Sequence, residues 1–481
     1  MIDTDYFVTG TGASAMAFVD TLLIELPDAR VVMVDRHHRP GGHWNDAYPY
    51  VRLHAPSAWY GVPSRELSDW TREATGFNQG MWGLASGAEV LAHFEQAMKQ
   101  RFLPSGRVQW FPKCEHVASD GRVHRMRSLL TGEAKLVQAR KWVNATHART
   151  EVPATHPPKY RIADGVRCLP CSELPQVSRP YAHFTVVGSG KTGMDALLWL
   201  VENGVPHARI RWIMPRDAWM LDRANMQPGP EGWRRFFVGF VLGQFDAICE
   251  AADPADLFRR LEACGALMRI DPAVEPAVFH AAIVSRGELA QLRQAGEIVR
   301  LGRVRAIEPA RIVLERGDVP ADPDTLYVDC SASALQPLPG LPVFDGDTIH
   351  LLMVRQYQPL FSSSVIAWVE AHVPNEQERN ALCAPVPQLG PAINFLHMFQ
   401  ASLANAGRWR QNAALSAWLP TCRLNGQAVM LKGVDMGPEV REVLERVGHR
   451  SGEARRHIAR LLATASVAQH AASAASPSAS A

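Results

Sequence analysis

No apolar run in this chain is long enough to span a bilayer, and the first residues enter a strand-like stretch without a basic and apolar leader. A cytoplasmic location without a membrane span is therefore expected. Charge of one sign is also missing: 50 Lys+Arg against 48 Asp+Glu give a formal net charge of +2, which excludes the basic field that nucleic acid requires. The eight cysteines are scattered over 481 residues, so reduced, mostly buried thiols are expected and a disulfide framework is not. No His, Cys, Asp or Glu set has metal-ligand spacing, and no Gly-x-Ser-x-Gly elbow is present, so no metal is expected and hydrolase chemistry of that kind is excluded. The apolar stretch Phe236 to Leu242 is too short to cross a membrane and reads as a buried helix or a tunnel wall. What remains is ordinary globular composition, 47% hydrophobic and 20% charged, in a chain long enough for two or three domains.

Two glycine-rich turns stand out. Gly10-Thr11-Gly12-Ala13-Ser14-Ala15 follows the apolar run Tyr6-Phe7-Val8, and Gly188-Ser189-Gly190-Lys191-Thr192-Gly193 follows Phe184-Thr185-Val186-Val187. Each opens a helix-like stretch, the context in which such glycines serve a dinucleotide. The first two let backbone N–H groups approach a pyrophosphate, and the third small residue allows close helix–strand packing. Two nucleotides are expected to bind. Asp35 ends the strand Val31-Val32-Met33-Val34 twenty residues after Ala15, the distance at which an acid reaches a ribose hydroxyl, and Arg36 follows it. After Gly193 the matching strand Ile210 to Met214 ends without an acid, and Arg216 stands 23 residues on, where a guanidinium meets a 2′-phosphate. That favours NADP over NAD at the second turn, although a solvated surface arginine fits the same position. Lys191 fits a phosphate partner or a solvated lysine.

The order of these signals predicts an α/β chain with two Rossmann-like dinucleotide domains, the second inserted into the first. The expected boundaries are 1–165 for the first part of the first domain, 166–325 for the second, 326–400 for the return to the first, and 401–481 for a helical region. Within the second, 219–290 reads as a helical insertion, with Leu257, Leu261 and Leu267 at helical spacing. Beyond Gln469 the Ala/Ser/Pro composition predicts a disordered tail.

Further residues carry a family resemblance. Gly41-Gly42-His43-Trp44 is similar to the Gly-Gly-x-Trp of the flavin-containing monooxygenases, and Tyr50-Val51-Arg52-Leu53-His54-Ala55-Pro56 resembles their Leu-His-x-Pro stretch. Val187 to Asp195 resembles their NADP fingerprint, and Val328-Asp329-Cys330-Ser331-Ala332 stands in the place of their Ala-Thr-Gly strand returning to the flavin. The resemblance covers roughly residues 1–400 and implies FAD at the first turn and NADP at the second. It implies flavin contacts from Gly42, His43, Trp44, Leu53, His54, Ser331 and Ala332, with Tyr60 beside Trp44. His54 takes the catalytic place as a hydrogen-bonding group, with a histidine packed for structure as the other reading. The implied activity is NADPH-dependent oxygenation of a small molecule by dioxygen through a flavin hydroperoxide, in a site that excludes water.

The chain also departs from that family. The signature Phe-x-Gly-x-x-x-His expected before the second turn is absent; a partial match at Phe344 to His350 lies after both turns, and Ala145-Thr146-His147 alters the Ala-Thr-Gly element. Cys168-Leu169-Pro170-Cys171 stands in its stead, 17 residues before Gly188, resembling the dithiol of thioredoxin-reductase-like flavoproteins. A flavin disulfide reductase using Cys168 and Cys171 is therefore the alternative, and a flavin-binding protein without catalysis is the third. Substrate and oligomeric state stay open, a homodimer among the options.

Overall fold

In the computed structural model, which describes residues 1–147, 152–332, 340–387 and 390–475, the apolar runs pair into two parallel sheets. The first has the strand order Phe344–Asp345, Thr348–His350, Ala134–Asn144, Ile2–Thr9, Val31–Asp35, Val108–Pro112. Its central strands are parallel, with Tyr6 opposite Val31 and Lys141. Such strands are covered on both faces, and alternate residues go to different cores. Tyr6, Val8, Val31 and Met33 pack beneath the helices Ala13–Glu25 and Pro359–His372, while Phe7, Val32 and Val34 pack against the hairpin side with Met126 and Val137.

The second sheet is wholly parallel, in the order Arg167–Pro170, Thr325–Asp329, His183–Val187, Ile210–Ile213, Glu297–Val299. The helix Lys191–Glu202 buries Met194, Leu197 and Leu200 against one face. The strand leading to Ser331 and Ala332 thus lies beside the second glycine turn. The first sheet is regained only by the hairpin 344–350, so the boundary expected at 325 falls within the second sheet.

The stretch 219–290, expected as a helical insertion, is helical only in part. Helices are present at Gly243–Glu250 and Pro254–Ala263, and the wide helical turn Arg235–Leu242 buries Phe237, Phe240 and Leu242. Strands are present too: Leu267–Met268, Ala218–Asp222, Val278–Val284 and Gly390–Pro391 form a third, four-stranded sheet. Ala218–Asp222 is buried at every position, so its sequence lacks the alternation that marks a half-exposed strand. The C-terminal region is helical as expected, and the last helix, Pro438–Ala475, corrects the disorder expected beyond Gln469 as far as Ala475. Residues 476–481 lie outside the described residues. Among the described residues no helix is long and apolar enough to cross a membrane, and no group of three His, Cys, Asp or Glu side chains is arranged to hold a metal ion.

The third small residue of each turn does the packing that the sequence assigns it. Ala15 is fully buried, and a Cβ at Gly193 would lie 2.2 Å from the Gly188 carbonyl oxygen, where neither atom can move without breaking the turn. Gly193→Ala is expected to destabilise the second sheet by about 1–3 kcal/mol, the cost of overpacking a fixed backbone. Chemical denaturation checks this; a change under about 0.5 kcal/mol, the level of an ordinary surface substitution, would show that helix and turn separate freely.

Candidate functional site

At the first turn, Gly10 has φ +90°, and a Cβ there would press Thr146 at 3.0 Å, so the altered Ala145-Thr146-His147 element lies against the turn. Gly12 begins the helix Ala13–Glu25 without a side-chain cap, which leaves the N–H groups of Ala13, Ser14 and Ala15 for a ligand. Gly41 donates to the Thr11 carbonyl at 2.8 Å, and Gly42, at φ +56°, sits so close that a Cβ would come 2.8 Å from the Gly12 Cα. The Gly-Gly pair is thus required by its approach to the first turn. Beyond it His43 is exposed and stacks on Trp44, whose indole N–H donates to the Tyr60 hydroxyl at 2.8 Å.

Asp35 is buried, and both its oxygens are already engaged. One accepts from the Thr11 N–H and hydroxyl at 2.5 and 2.8 Å; the other accepts from the His37 N–H and Nδ1 at 2.8 and 2.9 Å. His37 reaches Asp46 with its other nitrogen at 2.8 Å, so it lies between two carboxylates. The bond to Asp35 raises the His37 pKa to about 8, and the bonds from His37 and Thr11 hold Asp35 below its ordinary value although burial works against this. His37 was not a candidate from sequence; its spacing two residues after the strand-ending acid was the available signal. Arg36 is exposed and faces Glu115 at 3.9 Å.

At the second turn, Gly188 has φ +123°, and a Cβ would meet the Cys330 carbonyl at 2.5 Å. Gly190 starts its helix uncapped and its Cβ position opens onto empty space, with Ser189 and Thr192 half-buried on either side. Lys191 turns along its own helix to pair with Asp195, which also accepts from the Tyr48 hydroxyl at 2.5 Å. It is therefore neither solvated nor aimed at the turn. Arg216 is exposed and makes no hydrogen bond or ion pair among the described residues. The Ser331 hydroxyl donates to Asp329 at 2.6 Å, and Ala332 is half-buried beside it.

Residues 48–60 bridge the two units. Leu53 is buried, bonded to the Ala85 carbonyl, and Tyr50 stacks on Trp199 and donates to the Cys171 carbonyl. His54 is half-buried, and its ring makes no hydrogen bond among the described residues. Burial, with Lys191 and Arg223 nearby, pushes its pKa down to about 3, so the imidazole is neutral at physiological pH. The segment is fixed by a residue that sequence reasoning missed. The Arg223 guanidinium, fully buried, donates to the His54 carbonyl at 2.9 Å, to the Ile283 carbonyl at 3.0 Å and to Asn78, and pairs with Glu288 at 2.8 Å. Glu288 closes a capping box with Ser285, and Ser285-x-x-Glu288 was the one signal of this network legible in sequence.

Cys168 and Cys171 do not meet. Cys168 lies on one face of the second sheet near the Tyr160 hydroxyl, and burial raises its thiol to about 11. Cys171 is buried on the opposite face, within hydrogen-bonding reach of Cys330.

The His37 clamp generates a pH prediction. A histidine whose folded pKa exceeds its unfolded value contributes stability below about pH 6.5 and loses it as pH rises through about 8. Wild type is expected to lose about 1–2 kcal/mol relative to His37→Gln across that window. Parallel denaturation curves at pH 6 and pH 9 measure this, and parallel behaviour of the two proteins would remove the clamp.

No family model matches the chain. In sequence it is 44% identical over 471 residues to "Uncharacterized protein Rv2000" of Mycobacterium tuberculosis, covering 97% of this chain and 86% of that one. In structure it is similar to the open crystal structure of cyclohexanone monooxygenase, with TM-score 0.50 and 14% identity over 90% of this chain and 98% of that one. Oxidized steroid monooxygenase bound to NADP aligns at TM-score 0.49 and 14% identity, over 95% and 99% of the two chains. The chain belongs to the family of the mycobacterial protein Rv2000, and its fold is like that of cyclohexanone monooxygenase.

Proposed function

We propose that this protein is an FAD-dependent, NADPH-using oxidoreductase of monooxygenase type, acting on a small molecule with dioxygen. The observation that carries the reading is the pair of uncapped helix starts, each opened by a left-handed glycine at the carboxyl edge of its own parallel sheet, with residues 48–60 between them. FAD fits the first turn, because the first helical N–H groups have no cap and Gly42 packs its backbone directly against Gly12 with no side chain between them. When bound, the flavin with NADPH supplies the reducing pair and the activation of dioxygen that no side chain provides.

The chain's own residues do the rest. Gly10 to Ala15 and Gly42 hold the first pyrophosphate; Trp44, Leu53 and His43 flank the ring system. Asp35 orders the turn through Thr11, and a ribose hydroxyl reaches it by displacing His37, with Arg36 alongside. Gly188 to Gly193 hold the second pyrophosphate, Arg216 takes the 2′-phosphate, and Ser331 and Ala332 lie alongside. Lys191 remains bound to Asp195 and stands near His54. Neutral His54 serves as a hydrogen-bonding group at the reacting centre and not as a charged acid. The disulfide-reductase alternative loses support, since Cys168 and Cys171 point to opposite faces.

The purified protein is expected to carry flavin absorption and to couple NADPH oxidation to oxygen uptake with amines, thioethers or ketones. Absence of both after incubation with FAD would overturn the reading. Gly12→Val is expected to abolish flavin retention because its side chain enters the pyrophosphate's space; full occupancy in that variant would move FAD elsewhere. Arg216→Ala is expected to raise the KM for NADPH by the equivalent of about 1–3 kcal/mol and to leave NADH nearly unchanged. Equal effects on both cofactors would take Arg216 out of the phosphate site.

A further inference from the structure

The first two strands of the second sheet pair in parallel, with Cys168 opposite Tyr327, Leu169 opposite Val328 and Pro170 opposite Asp329. One step further along both chains stand Cys171 and Cys330. Side chains alternate between the two faces of a sheet, and the cores follow that alternation. Cys168 and Tyr327 pack on one face, while Leu169, Val328, Cys171 and Cys330 pack together on the other. Neighbouring strands lie about 4.8 Å apart, inside the roughly 4.4–6.8 Å that a disulfide needs between its Cα atoms. Both thiols are free, and they lie within hydrogen-bonding reach of each other.

The pair sits where the bridging segment meets the second sheet. The Tyr50 hydroxyl donates to the Cys171 carbonyl at 3.2 Å, and Tyr48 packs in the same core. Tyr50 is only half-buried and Pro49 beside it is exposed, so a ring that water reaches touches the residue that bears one of the thiols. Cys330 also belongs to the second turn. Its N–H donates to the Val187 carbonyl at 2.9 Å, and its own carbonyl is the group that a Cβ on Gly188 would meet. A covalent link at Cys330 therefore ties the glycine turn to the edge strand Arg167–Pro170.

We propose that Cys171 and Cys330 form a reversible disulfide on oxidation by a peroxide, of which hydrogen peroxide is the simplest. One sulfur, as its thiolate, attacks a peroxide oxygen; the sulfur–oxygen bond forms as the oxygen–oxygen bond breaks, and the departing hydroxide takes a proton and leaves as water. The second sulfur then displaces the sulfenic hydroxyl, which leaves as a second water, and the sulfur–sulfur bond closes. Two thiols give up two electrons and two protons, and one peroxide becomes two waters. Burial raises the Cys330 thiol well above its ordinary value, so little of it is thiolate and the oxidation is slow. The disulfide goes beyond the proposed oxidoreductase activity and does not depend on it.

Treatment of the full chain with hydrogen peroxide, followed by unfolding in denaturant with a thiol-alkylating reagent and by peptide mass spectrometry, tests it. Wild type is expected to yield a linked peptide pair joining Cys171 to Cys330, with two fewer labelled thiols than the eight of the reduced chain. Dithiothreitol is expected to restore all eight. Cys171→Ser is expected to abolish the linked pair, and Cys264→Ser, which removes an exposed thiol, to keep it. The wild-type map stands alone should Cys171→Ser fail to fold. Far-ultraviolet circular dichroism is expected to be unchanged by the treatment, which places the link in the folded chain. Eight labelled thiols after treatment, or a disulfide joining other cysteines in place of these two, overturns the proposal. Oxidation of the two sulfurs to acids that dithiothreitol does not reverse, or a link that forms only as the folded signal is lost, overturns it equally.

Discussion

The candidate site depends on one buried ion pair. Arg223 and Glu288 come from the inserted segment, yet the guanidinium also holds the His54 carbonyl and Asn78, which belong to the first unit. Removing one partner of such a pair leaves an unpaired charge out of water, at a cost of about 3–5 kcal/mol. Glu288 is doubly committed, because its side chain also closes the capping box with Ser285. Helix start and bridging segment therefore hold one another in a single arrangement. The three carbonyls gripped by Arg423 continue this fastening along residues 58–62.

Much of the fold was legible because its signals are local. The two glycine turns announce themselves through strand, glycine and helix within twenty residues, and the structure forms each where the spacing puts it. The third sheet was not legible: Ala218–Asp222 and Val278–Val284 are far apart in the chain, and Ala218–Asp222 is buried at every position. Nor was the facing of Cys168 and Cys171, since the spacing does not reveal that a strand ends at Pro170 and that Cys171 starts the 3-10 helix beyond it. The Ala-rich tail was misread for a different reason. Low complexity suggested disorder, but alanine is the strongest helix former and continues the preceding helix to Ala475.

At the level of side chains, several residues singled out from sequence have partners that the sequence did not indicate. Asp35 ends its strand as the spacing requires, but His37 and Thr11 claim its oxygens. Lys191 opens the second helix as expected, but four residues on stands Asp195, one helical turn away, and an ion pair along the helix forms at no cost in chain entropy beyond the side chains themselves. Such competition is decided by geometry that a linear pattern does not contain.

The electrostatics around His54 then constrain any chemistry placed there. Two cations, Lys191 and Arg223, surround His54, and each is matched by its own carboxylate, Asp195 or Glu288. Burial, aided by these two cations, holds the imidazole unprotonated. A neutral ring offers one donor and one acceptor, so under the proposed function it orients a ligand without shuttling its proton. Under the proposed function, such a site positions and shields, which is the part of oxidative chemistry that a protein supplies when a cofactor carries the electrons.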